Sequence, residues 1–489
     1  MTYEENTIYV SIGKELTKEH IKLSQKIPKS SLLVHIALPG FNWNKTYSKK
    51  IMIIDARLGD REASAIIAQY MLDNKLNRMC GYYHSEAEKE WLHDKFIPQC
   101  RSLFWISLAT SMTFAPKYVL NSIKNLKHIR KSPNVSEFKD KASGLPAIVV
   151  GSGPSLNKNI KVLKELQGNA IIIASGSAIG ALHYAGIESD ILVASDAGDY
   201  DDLDNVVNEN TILCSALELQ PKINANHTGR KMFFYSRPEW TMSWCKQHIP
   251  DPSYLQQNVS CSTAAFNLAF MMGCNPIIFV GQDLAFNDDE HHAEGSKAND
   301  YLRRKERQVK VEGYEEGTFV DTVPELKDVA SYLSSAKAIA QNVRMINATE
   351  GGARIKNFEQ IKLKDIGLNT KIDKTFLDIP YQKFVTKSSD ESFQTFINRK
   401  VEQLKEARKR TYDASIVCAD DWFKFIEAEK KSPIYPMIKQ GAQYGTLYIY
   451  FQKIDRAKPE IVDGESVKMK GLLLYIIDEL IKELSSPQW

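Results

Sequence analysis

The sequence predicts an α/β protein whose central sheet is mostly parallel and covered by helices on both faces. Two observations predict it. Short apolar runs recur through the middle of the chain, at 147–150, 170–174, 191–195, 211–214, 231–235, 276–280 and 343–346. Helix-compatible segments separate several of them, notably 157–167, 177–185, 262–272 and 326–341. Strands that are apolar throughout, rather than alternating, are buried on both faces, and intervening helices supply the crossovers of a parallel sheet.

Around this centre the chain divides into three. Residues 1–115 mix strand-like runs (32–38 and 50–55) with a helical stretch at 61–76, an N-terminal domain of α+β composition within the α/β class. An aromatic-rich section there, Tyr82, Tyr83, Trp91, Phe96, Phe104 and Trp105, reads as core packing before it reads as a ligand platform. Residues 116–365 hold the parallel sheet. In 366–489 strands become sparse, and 391–410, 423–431, 447–451 and 467–481 read as helices. Packing, homo-oligomerisation and recognition of a partner protein are all open to that helical domain.

Bulk properties exclude several function classes. At 489 residues, a formal charge of +3 is too small to point to nucleic acid. The seven cysteines are scattered, odd in number and without Cys-x-x-Cys spacing, which reads as a reduced, cytoplasmic protein. Met1-Thr2-Tyr3-Glu4-Glu5 begins no signal peptide. The apolar window 264–280 is broken by Asn267, Gly273, Asn275 and Pro276, so membrane insertion is not expected.

The chemistry-bearing residues fall where the predicted strands end, which is where ligands of such sheets sit. Ile148-Val149-Val150 runs into Gly151-Ser152-Gly153-Pro154-Ser155, and a helix follows. A turn of this kind suits a phosphate, because backbone N–H groups at a helix start point at it and glycines allow close approach. An ordinary strand–turn–helix connection is the alternative. Leu156 stands where a third glycine would complete a dinucleotide fingerprint, so that class is disfavoured.

Ser175 and Gly176 end the next run, and Asp196 the one after, where a carboxylate can hold a ribose hydroxyl, a metal or a nucleophile. Asp199, Asp201, Asp202 and Asp204 read as a solvated turn, with a metal-dependent nucleotide-sugar site only weakly signalled. Gln282 and Asp283 follow 276–280 directly and can orient a sugar hydroxyl or a base. His292 is the first candidate for a general base, against the reading that His291 and His292 are surface residues of an acidic loop. No Cys/His cluster completes a zinc set, and no metal is expected. Ser262 and Thr263 open a helix and suit either a phosphate or simple capping. Arg354, after Glu350-Gly351-Gly352-Ala353, offers a guanidinium to a carboxylate or phosphate, or belongs to a surface turn.

Taken together, these loops resemble the motility-associated factor family of bacterial flagellin glycosyltransferases. The resemblance is carried by Pro146 to Leu156, Gly186-Ile187 with Ser195-Asp196, Asn275 to Phe286, His292-Ala293 and Asn347 to Ile355, and covers roughly residues 120–365. It implies a Rossmann-like central domain similar to that of bacterial sialyltransferases. It also implies transfer of a nonulosonic acid (sialic, legionaminic or pseudaminic) from a CMP-sugar to serine or threonine hydroxyls of flagellin, with no prosthetic group. By that analogy Gly151–Ser155 lies against CMP with Asp196 and Gln282 beside nucleotide or sugar. Ser262 and Thr263 share the phosphate charge, Arg354 meets the donor carboxylate or braces its loop, and His292 or Asp283 takes the acceptor proton. The same turn also resembles one in archaeal pterin diphosphokinases, which implies a magnesium-dependent transfer from ATP to a hydroxymethylpterin. A flagellin-binding assembly factor without catalysis is the third expectation.

Overall fold

Alternate residues of each central strand point to opposite faces, and because both sets are apolar the sheet needs a cover on each side. The computed structural model describes residues 4–43, 47–74, 76, 78–129, 132–198, 209–236, 253–286, 292–296, 308–378, 390–432, 435 and 459–486. The chain forms two compact units, Met1–Thr113 with Tyr444–Ser466, and Phe114–Gln443 with Val467–Trp489.

The first unit is built on β1 (Thr7–Gly13), α1 (Lys18–Lys26), β2 (Leu32–Ala37), β3 (Ile51–Asp55), α2 (Asp60–Asn74) and β4 (Arg78–Gly81). The four strands lie in the order β3-β2-β1-β4, and every pairing is parallel, so α/β rather than α+β describes this unit. One face packs Val10, Val34 and Ile36 against Ile67 and Met71 of α2 and against Leu92, Phe96 and Phe104. Phe96 and Phe104 of the aromatic section are therefore core, whereas Tyr83 and Trp105 are exposed. The other face packs Tyr9 and Leu33 under Leu23 and Ile27. Short α3 (Glu86–Glu90) and the long α4 (Ile97–Ile129) follow.

The second unit continues through β5 (Ala147–Val150), α5 (Leu156–Glu165), β6 (Ile171–Ser175), α6 (Ala178–Tyr184), β7 (Ile191–Ala194), β8 (Ile212–Ala216), α7 (Pro221–Asn226), β9 (Lys231–Tyr235) and β10 (Ser253–Tyr254). It then runs through α8 (Cys261–Met271), β11 (Ile277–Val280), β12 (Val309–Glu312), β13 (Phe319–Thr322), α9 (Pro324–Ile339), β14 (Met345–Asn347) and β15 (Glu359–Gln360). Nine of these strands form one parallel sheet in the order β10-β9-β8-β7-β6-β5-β11-β14-β15. Val149, Ile173, Val193 and Phe279 face Phe266 and Leu268 of α8 and Leu333 of α9. Their neighbours Ile148, Ile172, Leu192 and Ile278 face Leu156 and Leu163 of α5 and Leu182 of α6. The strands step outward from β5 to β10, then return to the other side of β5 with β11. Beyond the carboxyl ends of β5 and β11, at this reversal, is the place where ligands of such sheets bind.

Helices α10 (Asp390–Asp413), α11 (Ala419–Glu429) and α12 (Pro459–Leu484) complete the described chain. Arg410 grips both oxygens of the buried Glu429 carboxylate, joining α10 to α11. The segment 447–451, read as helical from sequence, lies outside the described residues. Among the described residues no helix is long and apolar enough to cross a membrane. The six described cysteines are all free.

The second half of α4 is tied to the strand ends of this sheet by asparagines. Asn121 Nδ2 donates to the carbonyls of Ala197 and Glu218 (3.1 and 3.0 Å), and Asn125 Nδ2 to those of Leu217 and Leu219 (2.8 and 2.7 Å). Asn224 Nδ2 donates to Asn125 Oδ1. Asn125 is fully buried, so replacing it leaves polar groups without partners in an apolar setting. Asn125→Ala is expected to lower unfolding stability by about 2–4 kcal/mol, read from urea midpoints at constant m-value.

Candidate functional site

At the reversal point the loops after β5 and β11 meet backbone to backbone. Gly151 and Gly281 lie so close that a Cβ on either would strike the other's carbonyl oxygen, and Gly151 N–H donates to the Val280 carbonyl at 2.9 Å. Two residues on, Gly153 N–H donates to the Gly281 carbonyl at 2.8 Å. A Cβ at Gly153 would occupy the place of the Asp283 carboxylate. The glycines thus serve contact between two loops of the protein itself.

Asp283 is buried at the start of α5, where it accepts from Ser155 N–H (3.2 Å) and Ser155 Oγ–H (2.7 Å). A carboxylate there neutralises the positive end of the helix and takes up a free N–H. The Gly151–Ser155 turn consequently holds, from within the chain, the kind of anion that its sequence leads one to expect from a ligand. The N–H groups of Leu156, Asn157 and Lys158 close onto the carbonyls of Gly153, Pro154 and Ser155. Burial pushes the Asp283 carboxyl up to about 6, against the opposing pull of the two Ser155 bonds and of Lys158.

Ser152 faces the other way. Its hydroxyl lies 2.8 Å from Ser177 Oγ and 3.4 Å from His292 Nδ1, while its carbonyl accepts from Ala293 N–H. Glu294 N–H donates to Asn157 Oδ1, and Ser296 Oγ to the Ser177 carbonyl. The segment 292–296 is thereby laid across the turn and the start of α6. Asn287 to His291 lie outside the described residues, as do Asp199, Asp201, Asp202 and Asp204.

The loop after β14 closes a third side. Glu350 Oε1 accepts from Asn159 Nδ2 and from Leu363 N–H, and the Glu350 carbonyl accepts from Lys158 Nζ. Gln282 is buried with its N–H on Thr349 Oγ1. Arg354 turns away to the β12–β13 hairpin, donating to the Tyr314 carbonyl and lying 3.6 Å from Glu312 Oε1. Its observed part is to brace that loop.

The remaining expected residues hold the ends of β6 and β7. Ser175 Oγ donates to the Val150 carbonyl, which ties neighbouring strands together. Gly176 leads into Ser177. Asp196 accepts from Gly198 N–H, and burial raises its carboxyl above the usual range, opposed by that bond and by Lys117. Thr263 Oγ1 donates to the Ser260 carbonyl and accepts from Asn258 N–H, while Ser262 Oγ lies 3.0 Å from Ser260 Oγ. Both hydroxyls are engaged at the start of α8, where Ser260 Oγ is the cap and accepts from Ser262 N–H. Pro154 supplies the ring before Ser155 and no donor.

Sequence reasoning passed over Asn159 and Lys158, and it met Ser177 at a strand end and Thr349 in the Asn347–Ile355 stretch without giving either a role; all four hold the loops here. Among the described residues no group of three or more His, Cys, Asp and Glu side chains is placed to hold a metal.

Fold and site define an α/β protein with polar side chains gathered at the reversal point of a doubly wound sheet. Residues 120–289 match a family model described as 6-hydroxymethylpterin diphosphokinase MptE-like. The fold is similar to that of a solved MAf glycosyltransferase from Magnetospirillum magneticum AMB-1, with a TM-score of 0.55 and 16% identity over 99% of this chain and 81% of that one. No curated protein matches.

Two outcomes follow. A methyl at Gly153 must displace the Asp283 carboxylate, so Gly153→Ala is expected to lose about 1–3 kcal/mol in urea unfolding. The second concerns pH. With the folded Asp283 value near 6 and the reference value 3.8, the native state binds more protons than the unfolded state between them. Stability from this group is therefore present at low pH and lost as pH rises through about 6. Asp283→Asn keeps an acceptor for Ser155 and removes that loss, so its stability relative to wild type should rise between pH 4 and 7. Parallel pH profiles would count against the assignment.

Proposed function

We propose that the protein is a glycosyltransferase that moves a nonulosonic acid from a CMP-activated donor to serine or threonine hydroxyls of flagellin in the cytoplasm. The observation that carries this reading is the likeness of fold to a MAf glycosyltransferase over nearly the entire chain, flanking elements included. The resemblance of the Gly151, Asp196, Gln282, His292 and Arg354 loops to that family supports the finer assignment of donor and acceptor.

In this reading the acceptor hydroxyl attacks the anomeric carbon as CMP departs, through a transition state with positive charge on the sugar. His292 takes the acceptor proton. It is preferred to Asp283 because Asp283 is committed to Ser155 and packed between the two loops. The hydroxyls of Ser152 and Ser177, paired beside His292, are the groups available to the departing phosphate. Asp283 acts as a positioning residue that fixes the turn carrying Ser152.

A second reading, diphosphoryl transfer from magnesium ATP to a hydroxymethylpterin, is favoured by the family model over 120–289. That match spans the β5 and β11 loops but little of the flanking chain.

The deciding experiment incubates purified protein and unmodified flagellin with a panel of CMP-sugars and reads intact mass. Addition of one nonulosonic acid mass per site supports the proposal. Turnover of ATP and hydroxymethylpterin instead selects the second reading, and stable flagellin binding without turnover indicates an assembly factor. His292→Ala is expected to lower kcat by about 10²–10⁴ with CMP-sugar binding retained. Wild-type turnover by that variant would remove His292 from the chemistry.

A further inference from the structure

The sheet of the first unit has its own reversal. The chain passes from β1 to β2 to β3 on one side, then returns with β4 on the other side of β1. A crevice beyond the carboxyl ends of β1 and β4 is where a ligand of such a sheet sits. Three histidines and a tyrosine gather there. His20 comes from the first turn of α1, His35 from β2, and Tyr82 and His84 from the loop after β4. The His20 ring lies edge-on to the other three, with centroids 5.3 Å from His35, 5.2 Å from Tyr82 and 5.1 Å from His84.

The two buried imidazoles differ in how they are satisfied. His35 Nδ1 lies 2.9 Å from Ser11 Oγ, and its Nε2 lies 3.2 Å from the Gly13 carbonyl, so both nitrogens are engaged. His20 Nδ1 accepts from Thr17 N–H at 3.1 Å, which leaves the proton of a neutral ring on Nε2. That nitrogen is buried, on a residue only 2% exposed, and has no hydrogen-bond partner among the described residues. An unmet donor of this kind is costly, and native structures retain few.

The surroundings restrict what would satisfy it. Burial holds both His20 and His35 down to about 4, so neither supplies a cation at neutral pH. The nearby Glu88 carboxylate accepts from the His84 backbone N–H at 2.8 Å, which makes the place unwelcoming to an anion. Ring contacts continue outward from His35 to Phe41 (5.6 Å) and from Phe41 to the half-exposed Trp43 (5.2 Å). A neutral oxygen acceptor bordered by C–H surface that can lie on aromatic faces matches this lining.

We propose that the carboxyl edge of the first unit's sheet binds a saccharide, with His20 Nε2–H donating to a sugar oxygen and Trp43 and Tyr82 offering ring faces. This site is independent of the transfer chemistry assigned to the second unit. The test uses full-length protein labelled with 15N-histidine and titrated separately with glucose, N-acetylglucosamine, N-acetylneuraminic acid and inorganic phosphate. At least one sugar should shift the His20 and His84 signals. Its affinity should fall by about tenfold or more in His20→Phe, which keeps a ring and loses the donor. Trp43→Ala, at an exposed position, should weaken the same sugar. Shifts with phosphate alone, no response to any sugar, or wild-type affinity in either variant would overturn the proposal.

Discussion

The Asp283 carboxylate at the first turn of α5 is the interaction on which the second unit's reversal point depends. It sits against Gly153, where a side chain would leave it no room, and it takes both donors of Ser155. The loops after β5 and β11 can then close until Gly151 and Gly281 touch. Once that face of the turn is filled from within, Ser152 is left to point at Ser177 and His292. Two glycines set inward and one serine set outward follow from the alternation of an extended chain. The burial that seats the carboxylate also raises its pKa, so the device that shapes the turn is strained by its own charge.

Much of this architecture was legible in the sequence. The strands Ala147–Val150 and Lys231–Tyr235 are found where their apolar runs lie, because residues buried on both faces leave a continuous signal. β1 and β4 escaped it: Thr7–Gly13 alternates Thr, Tyr and Ser with apolar residues, and Arg78–Gly81 is four residues long with a charge at its head. The polar hairpin of β12 and β13 carries still less pattern.

At the site, residue types and strand ends were readable and partnerships were not. The glycine turn announces an anion at a helix start, but Ser155 and its anion are 128 residues apart, and spacing along a chain cannot name such a partner. Ser152 and His292 are separated by 140. Arg354 and Thr263 have the chemistry of phosphate binders, yet the partners they show are a hairpin carbonyl and the backbone before α8. His20 gave no signal at all, since a histidine in a first helical turn is commonplace and its unmet nitrogen is visible only when the neighbours are in place.

The asparagines that tie α4 to the ends of β7 and β8 donate to main-chain carbonyls at 197 and 217–219, and Asn224 of α7 adds a side-chain bond to Asn125 Oδ1. An attachment made to the main chain is indifferent to the residues that provide it. Side chains on those loops can therefore change without loosening the helix, provided the backbone keeps its course. Such a latch separates the durability of the scaffold from the chemistry displayed at its rim, and it leaves this edge of the sheet free to diverge in what it recognises.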